Sequence, residues 1–99
     1  MALFVITWLD KTDGLQTRMA TREAHLAYIA KQGDAVRMGG PYLSAGDKMI
    51  GSMILYEAET LAQAEAFHAA DPYKLAGLFE RSWVRPWRMT IGSGMPAKS

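Results

Sequence analysis

The sequence contains no cysteine and no asparagine, and it has only two histidines among its 99 residues. The absence of cysteine excludes a disulfide framework, a thiolate metal site and a cysteine nucleophile, and it permits a reducing compartment. Neither sign of charge predominates, because 11 Lys and Arg residues are balanced by 10 Asp and Glu residues, which gives a net charge of +1. This balance argues against a nucleic acid or an anionic membrane as a partner.

Long apolar stretches are missing as well. The longest run covers 2–9 and is broken by Thr7, which is far short of the roughly 20 residues that a membrane span needs. It has no basic segment before it and no small-residue cleavage site after it, so it does not resemble a signal peptide. We therefore expect a cytoplasmic protein. Its composition, 49% hydrophobic and 21% charged, predicts one globular domain over 1–91 and a flexible tail over 92–99.

Apolar periodicity and turn signals predict the element order β-α-β-β-α-β. We expect these elements at 2–9 (strand), 15–32 (helix with Gly33 as C-cap), 35–43 and 48–56 (strands), 60–70 (helix opening on a Thr60 capping box), 73–79 (short helical turn) and 83–89 (strand). Pro86 in the last strand predicts an edge position or a bulge. Right-handed crossovers then give an α+β, ferredoxin-like sandwich: a four-stranded antiparallel sheet with two helices on one face.

The second face of this sheet is expected to be covered too. Apolar residues occupy both alternating positions of the strands, as in Phe4 and Val5, Met53 and Ile54, and Trp83 and Val84. Since no chain is left to cover that face, a second subunit is the natural cover, and we expect a homodimer.

The first helix mixes apolar and polar side chains on one stripe. At 100° per residue the stripe holds Leu15, Met19, Leu26 and Ile29, with Arg18, Arg22 and His25 on it or beside it. Polar groups on a buried face require partners. Alternatively, Arg18 and Thr21 belong to a loop and the regular helix starts near Arg22.

His25 and Asp71 are the candidate catalytic residues. A histidine can act as acid or base near neutral pH, although His25 can also be a core-edge residue bound by a backbone carbonyl. Asp71 precedes Pro72, so its backbone is extended; it either turns towards the core or forms an Asx turn in the Asp-Pro-Tyr break. If the two met, Asp71 would orient the imidazole and stabilise its cation.

Other residues suggest a ligand site without defining it. The Gly39-Gly40-Pro41 segment indicates either close approach of a ligand or a bulge that ends the strand. Ser52 can donate to a ligand oxygen or be an ordinary exposed strand serine. His68 is expected on the surface, and two distant histidines without metal-ligand spacing predict neither a metal nor another cofactor.

Several short motifs occur together in a familiar order: Arg22-Glu-Ala-His25-Leu26, Gly39-Gly40-Pro41, Gly51-Ser52, Asp71-Pro72-Tyr73 and Val84-Arg-Pro-Trp87. This set resembles the YciI-like (YCII-related) family of the dimeric α/β-barrel superfamily. The resemblance implies a homodimer with two sheets packed face to face. It also implies a cleft that contains a histidine–aspartate pair, here His25 and Asp71. The cleft is lined by Gly39, Gly40, Pro41 and Ser52, and Arg22 and Tyr73 are further candidates for substrate binding.

These observations favour a small cofactor-independent lyase or isomerase acting on a small cyclic or aromatic metabolite. The resemblance suggests dehydrochlorination of a chlorinated hydroxyhydroquinone as an example. His25 would move the proton, and the amides near Gly39 and Gly40, with Ser52 or Arg22, would stabilise an oxyanion. The alternative is a non-catalytic small-molecule-binding or accessory module that uses the same cleft. An acylphosphatase is disfavoured, because the first loop carries Asp10 and Asp13 where a phosphate should bind.

Overall fold

The computed structural model describes residues 1–94. Its elements, in chain order, are β1 (Ala2–Asp10), α1 (Leu15–Ala30), a short 3₁₀ turn (Gly33–Ala35), β2 (Val36–Leu43), β3 (Met49–Ala58), α2 (Leu61–Ala69), α3 (Pro72–Leu75) and β4 (Phe79–Trp87). The strands form one antiparallel sheet in the order β2-β3-β1-β4. The α+β, ferredoxin-like fold predicted from the sequence is confirmed. None of the helices in the described part of the chain is long and apolar enough to cross a membrane.

The core lies between the sheet and its helices. Alternate side chains of β1 point to the helices, and Phe4, Ile6 and Trp8 are almost fully buried. Burying side chains of this size contributes about 1.5–3 kcal/mol each to stability. Helix α2 begins with the predicted capping box, in which Thr60 and Gln63 exchange side-chain and backbone hydrogen bonds.

Helix α1 differs from the prediction in its buried face. Leu15, Met19 and Leu26 are 41%, 53% and 45% exposed, whereas Arg18 and His25 are only 3% and 9% exposed. Of the apolar stripe, only Ile29 packs against the core of this chain. Arg18 and His25 face the core, because Asp10 of β1, Ser52 of β3 and Asp71, which precedes α3, accept their hydrogen bonds.

The ends of several elements also differ from the prediction. Helix α1 begins at Leu15, so the alternative start near Arg22 is wrong, and it ends at Ala30 rather than at residue 32. Gly33, at φ +57°, opens the 3₁₀ turn and is not the helix cap. Strand β4 starts at Phe79 because it pairs along β1 as far as Asp10.

Pro86 and Gly51 each occupy a position in the sheet that suits their backbone. Pro86 lies in β4, which is an edge strand. Gly51 lies where β3 passes close to β1, and a Cβ there would collide with the carbonyl oxygen of Trp8. Residues 92–94 follow β4 without regular structure, and the rest of the predicted tail, 95–99, lies outside the described residues.

The sheet face opposite the helices is rich in apolar side chains. Its half-buried or exposed members include Leu3, Val5, Met53, Trp83 and Trp87. Trp87, for example, has 42% of its surface exposed to solvent.

Candidate functional site

A cavity of about 210 Å³ opens between α1 and the β1–β3–β2 part of the sheet. Its walls include Trp8, Arg18, Arg22, His25, Ser52, Tyr73 and the Gly39-Gly40-Pro41 segment. The structure therefore brings together every sequence-predicted site residue except Asp71, which lies directly behind His25.

The glycines of β2 shape one wall of this cavity. Gly39 is paired with Ile54 and lies on the helix side of the sheet, where a Cβ would approach Ile54 Cγ1 and the Met53 carbonyl oxygen to 3.3 Å. Gly40 is paired with Met53 and faces the opposite side, so it contributes only its backbone to the cavity. The missing side chain at Gly39 thus keeps the cavity open.

His25 and Asp71 form a buried hydrogen-bonded pair. His25 Nδ1 lies 2.9 Å from Asp71 Oδ1, and Asp71 is 1% exposed. The same oxygen accepts the backbone N–H of Tyr73 at 2.9 Å, so Asp71 is also the N-cap of α3. Both interpretations of Asp71 hold at once: Pro72 fixes the start of α3, and the cap holds the carboxylate against the imidazole.

The hydrogen bonds of this pair define the roles of the two ring nitrogens. A carboxylate can only accept, so His25 Nδ1 carries the hydrogen when the ring is neutral. Nε2 then holds the free lone pair, and it makes no hydrogen bond to any residue within 1–94. The imidazole can therefore take up a proton at Nε2 while Asp71 stabilises the resulting cation.

Aromatic rings hold the imidazole in place. Tyr73 stacks on His25 with 4.1 Å between ring centroids and an interplanar angle of 18°. Trp8 meets the His25 ring edge to face at 6.0 Å. Burial raises the pKa of the Tyr73 hydroxyl above its usual value, and the nearby Arg18 and Arg22 partly oppose this. Tyr73 is therefore a protonated phenol at neutral pH.

Arg18 and Asp10 are site residues that the sequence analysis did not select. Arg18 Nε lies 2.8 Å from Asp10 Oδ2, and Nη2 lies 3.0 Å from Asp10 Oδ1. Nη2 also donates to Ser52 Oγ at 3.1 Å. Ser52 is 5% exposed, so the interpretation as an ordinary exposed strand serine is wrong. The signal for Arg18 was its position seven residues before His25, on the same face of the helix.

Arg22 differs from Arg18 in its surroundings. It is exposed and makes no hydrogen bond within the described chain, yet it contributes to the cavity wall. It therefore places a solvated positive charge at the opening.

His68 is buried, contrary to the expectation that it lies on the surface. It is 8% exposed and stacks on Phe79 at 5.1 Å and on Trp8 at 5.8 Å. Its Nε2 atom has no partner among residues 1–94. Burial lowers the pKa of the His68 imidazole; Asp71 raises it and Lys74 lowers it further. The reason for its burial is that the last turn of α2 packs on β4, whereas the sequence pattern placed it on the solvent side.

Among residues 1–94, no three histidine or acidic side chains lie close enough together to hold a metal ion.

Comparison with known proteins places the chain in a family. The profile of the YCII-related domain matches residues 2–88. The chain belongs to the YCII-related family. Protein YciI of Escherichia coli O6:H1 is 35% identical over 94 residues, which cover 87% of this chain and 96% of that protein. An uncharacterized protein of Haemophilus influenzae is 30% identical over 93 residues, covering 86% and 95%.

A solved structure is also similar in fold and sequence. It is TftG, the 5-chloro-2-hydroxyhydroquinone dehydrochlorinase of Burkholderia phenoliruptrix AC1100, in complex with 2,5-dihydroxybenzoquinone. The TM-score is 0.84 and the identity 35%, over 89% of this chain and 95% of TftG.

Proposed function

We propose that this protein is a cofactor-independent lyase that removes a proton and a halide from a small ring, with His25 as the general base and Asp71 as its orienting partner. The observation that carries the proposal is the free Nε2 atom of an imidazole that lines the cavity and is bound at Nδ1 by a buried carboxylate. A positioned base of this kind contributes about 10²–10⁴-fold to a rate. The similarity to the dehydrochlorinase TftG supports an elimination.

The cavity volume favours a substrate with a single ring. A cavity of roughly 150 Å³ can hold benzene, and this one measures about 210 Å³. Leu26, Ile29, Val36 and Met49 supply apolar walls, and Arg18, Ser52 and His25 supply polar groups. Such a mixture suits a ring that carries hydroxyl groups.

The proposed chemistry balances without an oxidant. For a chlorinated hydroxyhydroquinone, His25 Nε2 takes a proton from a ring hydroxyl as that oxygen becomes a carbonyl. The displaced ring electron pair binds a proton at the carbon that carries chlorine. Loss of a second hydroxyl proton then forms the other carbonyl, and the C–Cl bond breaks with its electron pair leaving as chloride. The net change is the loss of HCl.

The test is chloride release from 5-chloro-2-hydroxyhydroquinone under nitrogen, by the native protein and by His25→Ala. We expect the variant to lose turnover by at least about 10²-fold and to keep its circular dichroism spectrum, since His25 lies at the edge of the core. Turnover by His25→Ala at the native rate would refute the role of His25. Tight binding of 2,5-dihydroxybenzoquinone by a native protein that releases no chloride would instead favour a binding module.

The same proposal includes a homodimer formed through the open sheet face. Leu3, Val5, Met53 and Trp83 place apolar side chains on that face, and an apolar surface patch of this kind is typical of an interaction site. A second copy would cover it by an isologous contact, in which the same patch serves both subunits. Light scattering after size exclusion gives the mass in solution: twice that of the chain supports the dimer, and the mass of one chain contradicts it.

A further inference from the structure

A second depression lies beside the cavity and shares one wall with it. This groove measures about 520 Å³ and is formed by the β1–α1 loop and the start of β3. Within the described chain, Met49 is the one residue that contributes to the walls of both spaces. The Met49 side chain therefore lies between the cavity and the groove.

A β-bulge turns Met49 towards the cavity. Ser52 lines the cavity, and strict alternation along β3 would make Ile50 the next residue on that side. Successive residues of β2 are instead paired with Gly51 and with Met49, so Ile50 is an extra residue in β3. The bulge gives Met49 the place at the cavity, while Ile50 lines only the groove. Bulges beside functional sites redirect side chains in this way.

The wall between the two spaces, which we call the partition, also contains an ion pair. Arg18 lines the cavity, Asp10 lines the groove, and hydrogen bonds of 2.8 and 3.0 Å join them. Both side chains are 4% exposed, and the two-point contact fixes their relative orientation. Met49 is half-buried, and its unbranched side chain has three rotatable bonds. Met49 is therefore the adjustable part of the partition.

We infer that Met49 limits the length of the substrate, and that the groove is the subsite for a ring substituent that extends past it. A single ring occupies most of the cavity, since roughly 150 Å³ holds benzene and about 210 Å³ is present. The substrate class of the native protein is thus a single ring with short substituents. The inference rests on the proposed function for the position of the ring, and it names the residue that limits the ring's substituents.

The experiment compares two quinones that differ in length. One is 2,5-dihydroxybenzoquinone, and the other is its 3,6-dipropyl derivative, which presents the same groups to Met49 when the ring is turned end for end. We expect the native protein to bind the shorter quinone at least about tenfold more tightly, as measured by calorimetry, because the propyl groups would overpack the cavity. Equal binding of both quinones, or binding of neither, overturns the inference.

Variants of Met49 test whether it sets this limit. Met49→Ala should reduce the ratio of the two affinities to about threefold or less, and Met49→Val, which is also shorter and suits a strand, should reduce it too. Met49→Leu, which is similar in volume, should keep most of the native ratio. Leu26→Ala is the matched control, because Leu26 lines the cavity but not the groove. A native ratio in Met49→Ala and Met49→Val, or an equal reduction in Leu26→Ala, overturns the assignment.

A double variant tests whether the longer quinone enters the groove. Ile50 is 43% exposed and lines the groove alone, so a tryptophan there would fill the groove without narrowing the cavity. Adding Ile50→Trp to Met49→Ala should restore the preference for the shorter quinone. If the double variant binds both quinones as Met49→Ala does, the groove is not the subsite.

Failure of this inference is distinguishable from failure of the proposed function. His25→Ala should lose chloride release and keep the native affinity ratio, because the partition is intact. If the native protein releases no chloride while Met49→Ala still lowers the ratio, the length limit stands and the lyase assignment is wrong. If chloride release depends on His25 while Met49→Ala keeps the native ratio, the base stands and the role of Met49 is wrong.

Discussion

Replacement of Asp71 by Asn should reduce the catalytic rate far more than it reduces the stability of the fold. Asp71 Oδ1 accepts two hydrogen bonds of 2.9 Å, from His25 Nδ1 and from the Tyr73 backbone N–H. An asparagine at this position can keep both bonds through its amide oxygen, but as a neutral acceptor. Hydrogen bonds to charged groups contribute about 1.5–3 kcal/mol and neutral ones about 0.5–1.5 kcal/mol. The free energy of unfolding should therefore fall by about 1–3 kcal/mol.

The effect of Asp71→Asn on the reaction should be much larger. Without a negative charge behind it, the His25 imidazolium of the proposed proton transfer would lose its counter-charge, and the rate should fall by about 10²–10⁴-fold. Chloride release from 5-chloro-2-hydroxyhydroquinone measures the rate, and urea unfolding measures the stability. Turnover within about threefold of native, in a variant with the expected loss of stability, would show that Asp71 is only a helix cap.

Three further predictions concern the rest of the fold. Burial lowers the folded-state pKa of His68, so the imidazole takes up a proton more readily in the unfolded chain, and the free energy of unfolding should fall as the pH drops below about 6.5. Urea unfolding at pH 8 and pH 5 should show a smaller loss of stability for His68→Gln than for the native protein. An equal loss in the two proteins would contradict this. Gly40 faces the open side of the sheet, where a Cβ would meet no atom within 4 Å of it in the described part of this chain. Gly40→Trp should therefore fold but obstruct the proposed dimer contact, which lowers the mass in light scattering, whereas Gly46→Trp in the β2–β3 loop should leave the mass unchanged. Gly51→Ala should lower the free energy of unfolding by about 1–3 kcal/mol, because the added Cβ would collide with the Trp8 carbonyl oxygen. A melting temperature equal to that of the native protein would refute this steric account.

Local sequence signals predicted much of the fold. The capping box at Thr60 depends on two residues three positions apart, and Pro86 restricts its own strand to an edge. Such signals act over short distances in the chain, so they can be read without knowing the packing. The order of strands and helices then follows from the handedness of crossovers.

The buried polar residues could not be predicted in the same way. Arg18 is buried because Asp10 and Ser52 reach it from two strands, and those partners are known only once the sheet is assembled. The burial of His68 likewise depends on Trp8 and Phe79 from β1 and β4. A helix pattern that counts only apolar residues therefore misplaces the centre of the buried face: it selects Leu26, which is 45% exposed, over the neighbouring His25, which is 9% exposed.

The central claim is that Asp71 holds the His25 ring with its Nε2 lone pair free for a proton. Long-range ¹H–¹⁵N NMR of the imidazole tests this directly, because protonated and unprotonated ring nitrogens have well separated ¹⁵N shifts. For the neutral ring of His25, the geometry predicts a protonated Nδ1 and an unprotonated Nε2, and the preference should weaken in Asp71→Asn. A neutral His25 protonated at Nε2, or one unaffected by Asp71→Asn, would contradict the account.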